Sequence, residues 1–414
     1  MIISKPGRFG DLKSFEVKCD DKDITEAVLE VHVFQDVFTP TWSAQFFMND
    51  TGNLLMSVPI KPGSMISVKI ETDNQSPTDG EKTFEFVVYR IGDKSFTNAH
   101  QQTYTLFCAS EAFLRNSGTR VSKSFNNKKA TEIADTIVKE FLGGKLDMIP
   151  CDDKIHVIIP NWTPFNSIAW LTKHAMKDNA ADYMFFQRDN DEYVMKPMEK
   201  LYDSDEESTE VTFFQKPSEM RGASGEYDTD YSLAITRYEV EHYDAAANMA
   251  SGYYANKKLS YDLISKKWEE KTFRYGDDCK EDGEKKSWTD GSILEQPDSN
   301  ITFVPKHPGM ADKPSYLDKQ DSWEPSRKSS IQKLDQEKIV IQLPGGAKTH
   351  EWVGKNCEID LPSQQDLEPT EKLDEYRKGK YIIIAICHVI SRETYSVNIE
   401  CVKKRLDKKL EDGG

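Results

Sequence analysis

A chain of 414 residues exceeds what one hydrophobic core usually supports and implies two to four domains, at roughly 100–200 residues each. Its 54 Lys and Arg stand against 70 Asp and Glu, a formal charge of −16, which argues against the clustered cations of a phosphate-gripping nucleic-acid clamp. No run of about 18 apolar residues predicts a membrane span, and the start MIISKPGRFGDLKSFEVK lacks the apolar centre of a signal peptide.

Residues 15–19 open a series of alternating segments that continues with Leu29, Val31 and Val33 on one face, then Ala44, Phe46 and Met48. A short helix is expected at 53–57, before Pro59, and Lys61-Pro62-Gly63 is turn chemistry. Alternation resumes at Ile66, Val68 and Ile70, at Phe84, Phe86 and Val88, and at Tyr104, Leu106 and Cys108. Six such strands with short turns predict a small antiparallel β-barrel or sandwich over 1–110.

From Glu111 the period changes. Ala134, Ile137, Val138 and Phe141 make a helical stripe that should stop at Gly143-Gly144. Thr163 reads as an N-cap and Pro164 as the first helical residue, with Phe165, Ile168, Leu171 and Ala175 near one face. A hairpin follows, Tyr183–Gln187 and 193–196 around the turn 188–191, completing an α+β domain over 111–208. The aromatics Trp162, Phe165, Trp170, Tyr183, Phe185 and Phe186 are expected in a packed core, a sugar platform being the other reading. The acidic run 203–208 is expected to be a solvated connection, since a Ca²⁺ loop needs defined ligand spacing and a Gly turn.

Residues 231–243 alternate like a strand, 244–252 read as helix or loop, and 253–273 as a further segment. The stretch 276–330, rich in Asp, Lys, Ser, Pro and Gly, reads as a long excursion. Strands return over 339–343, 357–361, 381–390 and 395–401. The expected division is a second barrel built from 209–243 and 331–404, an extended loop-rich insertion at 244–330, and a tail at 405–414.

An internal repeat links the two ends. GSMISVKI (63–70), FEFVVYRI (84–91) and YTLFC (104–108) recur in order as GKNCEIDL (354–361), YIIIAICH (381–388) and YSVNIEC (395–401). In both, a Gly precedes an alternating strand, followed by a nearly continuous apolar strand and a Tyr-led one. Two unrelated barrels would share much of this grammar.

Chemistry motifs are near misses. Gly222, Ser224 and Gly225 lack the spacing of a nucleophile elbow. His350-Glu351 has no second His four positions after the first, and Leu343-Pro344-Gly345-Gly346 has no following G-K-[ST]. His388, in an apolar strand, is expected to be a hydrogen-bonded core residue. The cysteines Cys19, Cys108, Cys151, Cys279, Cys357, Cys387 and Cys401 have no metal spacing and read as reduced packing residues. With 70 carboxylates, no glycosidase pair can be singled out. No catalytic residue, metal ligand or cofactor is therefore expected.

The run YTLFCASEAFL (104–114), the segment from SFNN (124–127) to Leu142, and the block PFNSI (164–168) leading to an aromatic hairpin together resemble the central hub of contractile-tailed phage baseplates. They are similar also to the N-terminal hub region of VgrG spike proteins of type VI secretion. NMASGYYANKKLSYDL (248–263) resembles the hub segment after the second barrel's first strands, so the resemblance covers most of the chain outside 276–330. It implies a homotrimer whose subunits each carry two tail-tube-like barrels, so that three chains present a ring of six between a threefold spike and a sixfold tube. The implied partners are copies of itself, a spike protein below, a tail-tube or tube-initiator protein above and other baseplate proteins, with DNA passing the lumen without specific binding and no membrane anchor. The implied location is the virion's tail baseplate, after synthesis in the host bacterial cytoplasm. Hubs of type VI-like or other contractile injection systems share the design, and a tail-associated cell-wall hydrolase is the alternative of another class. VgrG chains normally continue into a spike domain, whereas this sequence stops at Gly414, which favours the phage hub. The acid excess is expected to line the lumen and repel passing DNA.

Overall fold

The computed structural model describes residues 10–51, 58–72, 78, 80–98, 101–178, 181–215, 231–241, 244–262, 266–274, 294–306, 327–328, 331, 338–361, 374 and 377–403. The expected helix at 53–57, the Gly222 to Gly225 turn, most of 276–330 and the tail 405–414 lie outside the described residues.

Alternation builds the first half. β1 (Leu12–Cys19), β2 (Lys22–Asp23), β3 (Val28–Asp36), β4 (Ser43–Asp50), β5 (Met65–Thr72), β6 (Glu81–Asn98) and β7 (Gln101–Ala109) pair antiparallel in the order β3-β4-β7-β6-β5-β1-β2. Successive side chains point to opposite faces, so Val31, Val33, Phe46, Met48, Val68, Phe84, Phe86 and Leu106 are buried together. Leu29, expected inward, is exposed because β3 bulges between Val28 and Glu30 and Val28 takes the inward place.

The middle unit has its own core. β8 (Val121–Lys129) pairs antiparallel with β10 (Lys154–Trp162), while β9 (Lys145–Met148), β11 (Tyr183–Gln187) and β12 (Glu192–Pro197) form a sheet in the order β11-β12-β9. Helices Ala130–Ile137 and Pro164–His174 bury Ile133, Ala134, Ile137, Ile168 and Leu171 against them. Thr163 accepts a hydrogen bond from Asn166 N at 3.3 Å ahead of Pro164, as the sequence predicts. The first of these helices runs on through one π turn, Val138–Leu142, and stops at Gly143, whose φ of 77° satisfies the left-handed C-terminal position.

In the second half, β13 (Ser208–Gln215), β14 (Ala234–Ile235) and β15 (Arg237–Glu241) precede the insertion. The insertion holds a helix, Ala245–Ser251, capped by Asp244, and a three-stranded sheet of β16 (Ala255–Asp262), β17 (Trp268–Arg274) and β18 (Ile301–Lys306) in the order β17-β16-β18. β19 (Lys338–Pro344), β20 (Asn356–Asp360), β21 (Gly379–Ser391) and β22 (Tyr395–Val402) return to the main sheet. There β15-β19-β22-β21-β20 repeats the strand order β3-β4-β7-β6-β5.

Two closed antiparallel barrels do not form: among the described residues no sheet closes. The free side of β3 is taken by β21, in the register Val33↔His388, so both strand sets run on as one 14-stranded sheet and β1 ends on the short β2. That sheet is mixed, because β13 lies parallel to β14 and β20. The result is a β-rich α+β fold in which one apolar core runs through both halves and takes in Phe186, Val194 and Met198 from the middle unit.

Candidate functional site: the seam between the half-sheets

The repeat is structural, and its two copies share their irregularities. Gly63 N donates to Val88 O at 2.7 Å and Val88 N to Ser64 O at 3.0 Å; Gly354 N donates to Ile383 O at 2.9 Å and Ile383 N to Lys355 O at 2.9 Å. Both glycines are left-handed, with φ of 97° and 74°, so each half carries the same glycine bulge. A second bulge recurs between Val88 and Arg90 and between Ile383 and Ala385. These registers equate Cys108 with Cys401, since each lies opposite the bulge-partner residue, Val88 and Ile383. Tyr104 therefore matches Val397, and the Tyr104–Tyr395 equivalence read from the sequence is displaced by two residues.

Where the repeats meet, polar side chains fill inward positions. His388, 0% exposed, places Nδ1 2.7 Å from the Tyr395 hydroxyl and Nε2 2.9 Å from Gln35 Oε1. Gln35 Nε2 donates to His350 O at 3.1 Å, and Thr349 Oγ1 lies 2.9 Å from the Tyr395 hydroxyl. With the Gln35 amide nitrogen turned to His350 O, its Oε1 accepts from His388 Nε2–H, leaving Nδ1 to accept from Tyr395. Burial, then the nearby His350 and Lys82, lowers the His388 pKa to about 3, so the ring is neutral. Burial likewise lowers His350 and raises Tyr395.

The middle unit bolts onto both sides of this seam. Trp42 Nε1 donates to Gln187 O at 2.9 Å, Ser110 Oγ to Gln187 Oε1 at 2.6 Å, and Lys82 Nζ meets Asp189 Oδ1 at 2.5 Å. On the other side Tyr202 Oη donates to Lys380 O at 2.7 Å and Asn356 Nδ2 to Ser204 O at 2.9 Å. The seam is closed to solvent, so no substrate atom reaches His388 or Tyr395, and its chemistry is cohesion. Among the described residues, no group of three or more His, Cys, Asp and Glu is placed to hold a metal ion.

Several expectations change here. The acidic run is not a fully solvated linker: Glu207 is 6% exposed because Arg188 and Lys196 reach its carboxylate at 2.8 and 2.5 Å. The six aromatics do not share one core. Phe186 packs in the main core and Tyr183 in that of the middle unit, while Trp162, Phe165, Trp170 and Phe185 are half-buried at its margin. Cys279 lies outside the described residues; the other six cysteines are free, and all but the half-buried Cys387 are buried.

Residues Arg327 and Lys328 tie the insertion to the middle unit. Arg327 Nη1 donates to Ala181 O at 2.7 Å and Nη2 to Tyr183 O at 3.3 Å, near the buried Asp182, while Lys328 Nζ reaches Asn300 Oδ1 at 2.8 Å and Thr302 Oγ1. On the insertion sheet, Trp268 and Phe303 are 63% and 54% exposed, with Tyr261 packed beside Trp268.

No family model matches the sequence, and no curated protein matches it either. Among solved structures, the 43 kDa tail protein of prophage MuSo2 from Shewanella oneidensis superposes with a TM-score of 0.57 at 12% identity, over 94% of this chain and 98% of that one. The tail protein from Neisseria meningitidis MC58 gives 0.56 at 11% identity, over 94% and 96%. The VgrG complex with PdpA from Francisella gives 0.48 at 9% identity, over 98% of this chain and 54% of the other. Identities this low speak for architecture alone, and in architecture this chain has the fold of the two tail proteins.

Proposed function

We propose that the chain is a non-enzymatic structural hub of a contractile phage tail, a homotrimer in which three copies present six sheet repeats as a ring. The ring joins a threefold spike to a sixfold tail tube, with other baseplate proteins around it, and DNA passes its lumen without specific binding. The observation that carries this reading is the duplication itself. Two copies of one strand order, with matched bulges, are fused side by side through β21 and β3, as two neighbouring units of a ring would be. A rigid seam and a middle unit bolted to both halves suit a part that transmits load. The acid excess suits a lumen that must not hold phosphate.

Native mass spectrometry at increasing concentration tests this. A species of three times the 47.4 kDa chain mass is expected. A strict monomer at the highest soluble concentration, or lysis of peptidoglycan by the purified chain in a zymogram, would overturn it in favour of another role, the hydrolase in the second case.

A further inference from the structure

The insertion sheet has two unlike faces. Register sets Leu259 beside Glu270 and Phe303, and Tyr261 beside Trp268 and Pro305, so strand alternation puts these side chains on one face. Asn256, Lys258 and Ser260 point the other way and are only 2–3% exposed, and Lys328 reaches Thr302 on that side. The buried face is therefore the one tied through Arg327 and Lys328 to the middle unit, which leaves the other to solvent.

On the open face Trp268 lies across the sheet, its ring centroid 4.8 Å from that of Tyr261 and 5.3 Å from that of Phe303, with interplanar angles of 42° and 47°. Trp268, Phe303 and Ile301 are each more than half exposed, an apolar surface that water covers at a cost. A fixed polar row adjoins the rings: Lys257 Nζ bridges Asp298 Oδ1 at 2.6 Å and Glu270 Oε1 at 3.1 Å. Because one ammonium is shared by two carboxylates that stay more than half exposed, the row offers hydrogen-bonding atoms in set places and little net charge to draw an ion.

We propose that this face binds a neutral polysaccharide. A pyranose ring is apolar across its CH-lined faces and polar round its edge, and this surface is apolar across its centre and polar along one side. The CH hydrogens lie on the negative π-faces of Trp268, Tyr261 and Phe303, while the ring hydroxyls bond to Lys257, Glu270 and Asp298. The near-neutral row favours an uncharged ligand; Lys266 and Lys267, exposed in the turn before Trp268, are the charges an anionic lipid would use instead. This site is independent of the ring and of the chain's oligomeric state.

The test is affinity electrophoresis of the full chain through native gels containing hydroxyethylcellulose, glycol chitin or dextran, with phosphatidylglycerol vesicle binding and native mass measured in parallel. Retardation by at least one polysaccharide is expected, weakened roughly tenfold or more in Trp268→Ala with Phe303→Ala and partly kept in Trp268→Phe. Both side chains are exposed, so the variants should melt as the parent does, which separates lost binding from lost folding. No retardation in any gel, or equal retardation of parent and double variant, overturns the glycan site. So does binding to the vesicles alone that Lys266→Glu with Lys267→Glu abolishes, which assigns the face to lipid, or a double variant that loses only its oligomeric mass, which assigns it to a protein partner. None of these results decides the hub reading, which stands or falls on the parent's mass.

Discussion

Nδ1 of His388 lies 2.7 Å from the Tyr395 hydroxyl inside a seam where both side chains are almost wholly excluded from solvent. Complete burial, reinforced by the nearby His350 and Lys82, disfavours the imidazolium there. An unfolded histidine titrates near 6.5, while His388 is held to about 3. A folded pKa below the unfolded one gives stability that is complete above about 6.5 and lost as pH falls towards 3. His174, lowered to about 4 by burial, adds in the same direction. Urea unfolding should therefore show stability dropping by on the order of 3 kcal/mol between pH 6.5 and 5, roughly half from each histidine and above most carboxylate titration. His388→Gln should be less stable at pH 7 and flatter over that window; an unchanged slope would contradict the assignment.

The paired bulges make unequal predictions for the same substitution. A Cβ on Gly63 meets nothing within 4 Å, so Gly63→Ala carries only the left-handed backbone strain, roughly 1 kcal/mol. A Cβ on Gly354 falls 2.2 Å from Phe186 Cζ, in the shared core. Gly354→Ala should cost roughly 3 kcal/mol or more. Chemical denaturation of the two variants should separate them clearly.

Glu207 holds two cations, Arg188 and Lys196, whose side chains are 15% and 13% exposed. Glu207→Gln leaves both with the more exposed Asp147, 53% exposed, as their remaining carboxylate. Removing one partner of a buried pair costs about 3–5 kcal/mol, and the Asp147 contact should reduce this to about 2. Guanidinium melts should show Glu207→Gln with Asp147→Asn losing more stability than the two single variants' losses added together, since only the double variant leaves Arg188 and Lys196 without either carboxylate.

Much of this was legible in the sequence. Strand alternation, the Thr163-Pro164 helix start, the Gly143 stop and the Tyr183–Gln187 hairpin all appear where local chemistry predicts them. The seam was half visible: Gln35 and His388 are polar residues at inward positions of apolar strands, the signal of a buried partner, but pairing residues 353 apart needs the fold. Closure was illegible, because alternation states which face a residue takes and says nothing of which strand fills an edge. The half-buried Trp170, stacked 3.8 Å from His174, also escaped a reading that placed all aromatics inside. Trp170→Ala should consequently cost about 1–2 kcal/mol, below the 3–5 typical of a fully buried aromatic.

Arg327 is the insertion's tether to the middle unit. Charged hydrogen bonds contribute about 1.5–3 kcal/mol, so Arg327→Ala should speed amide exchange in β16 and β18 by roughly ten- to a hundredfold while β21 and β22 keep their protection. Arg327→Lys should restore only part, since an ammonium lacks the fork that spans the Ala181 and Tyr183 carbonyls. Uniform exchange across wild type and variants would show that the tether contributes nothing.

If two fused repeats make this chain one third of a six-unit ring, electron cryomicroscopy of the purified oligomer will show that ring directly in views down its axis. Three chains should form six alternating sheet repeats around an open lumen. An assembly of another symmetry, or one in which the repeats do not alternate around a common axis, would contradict it.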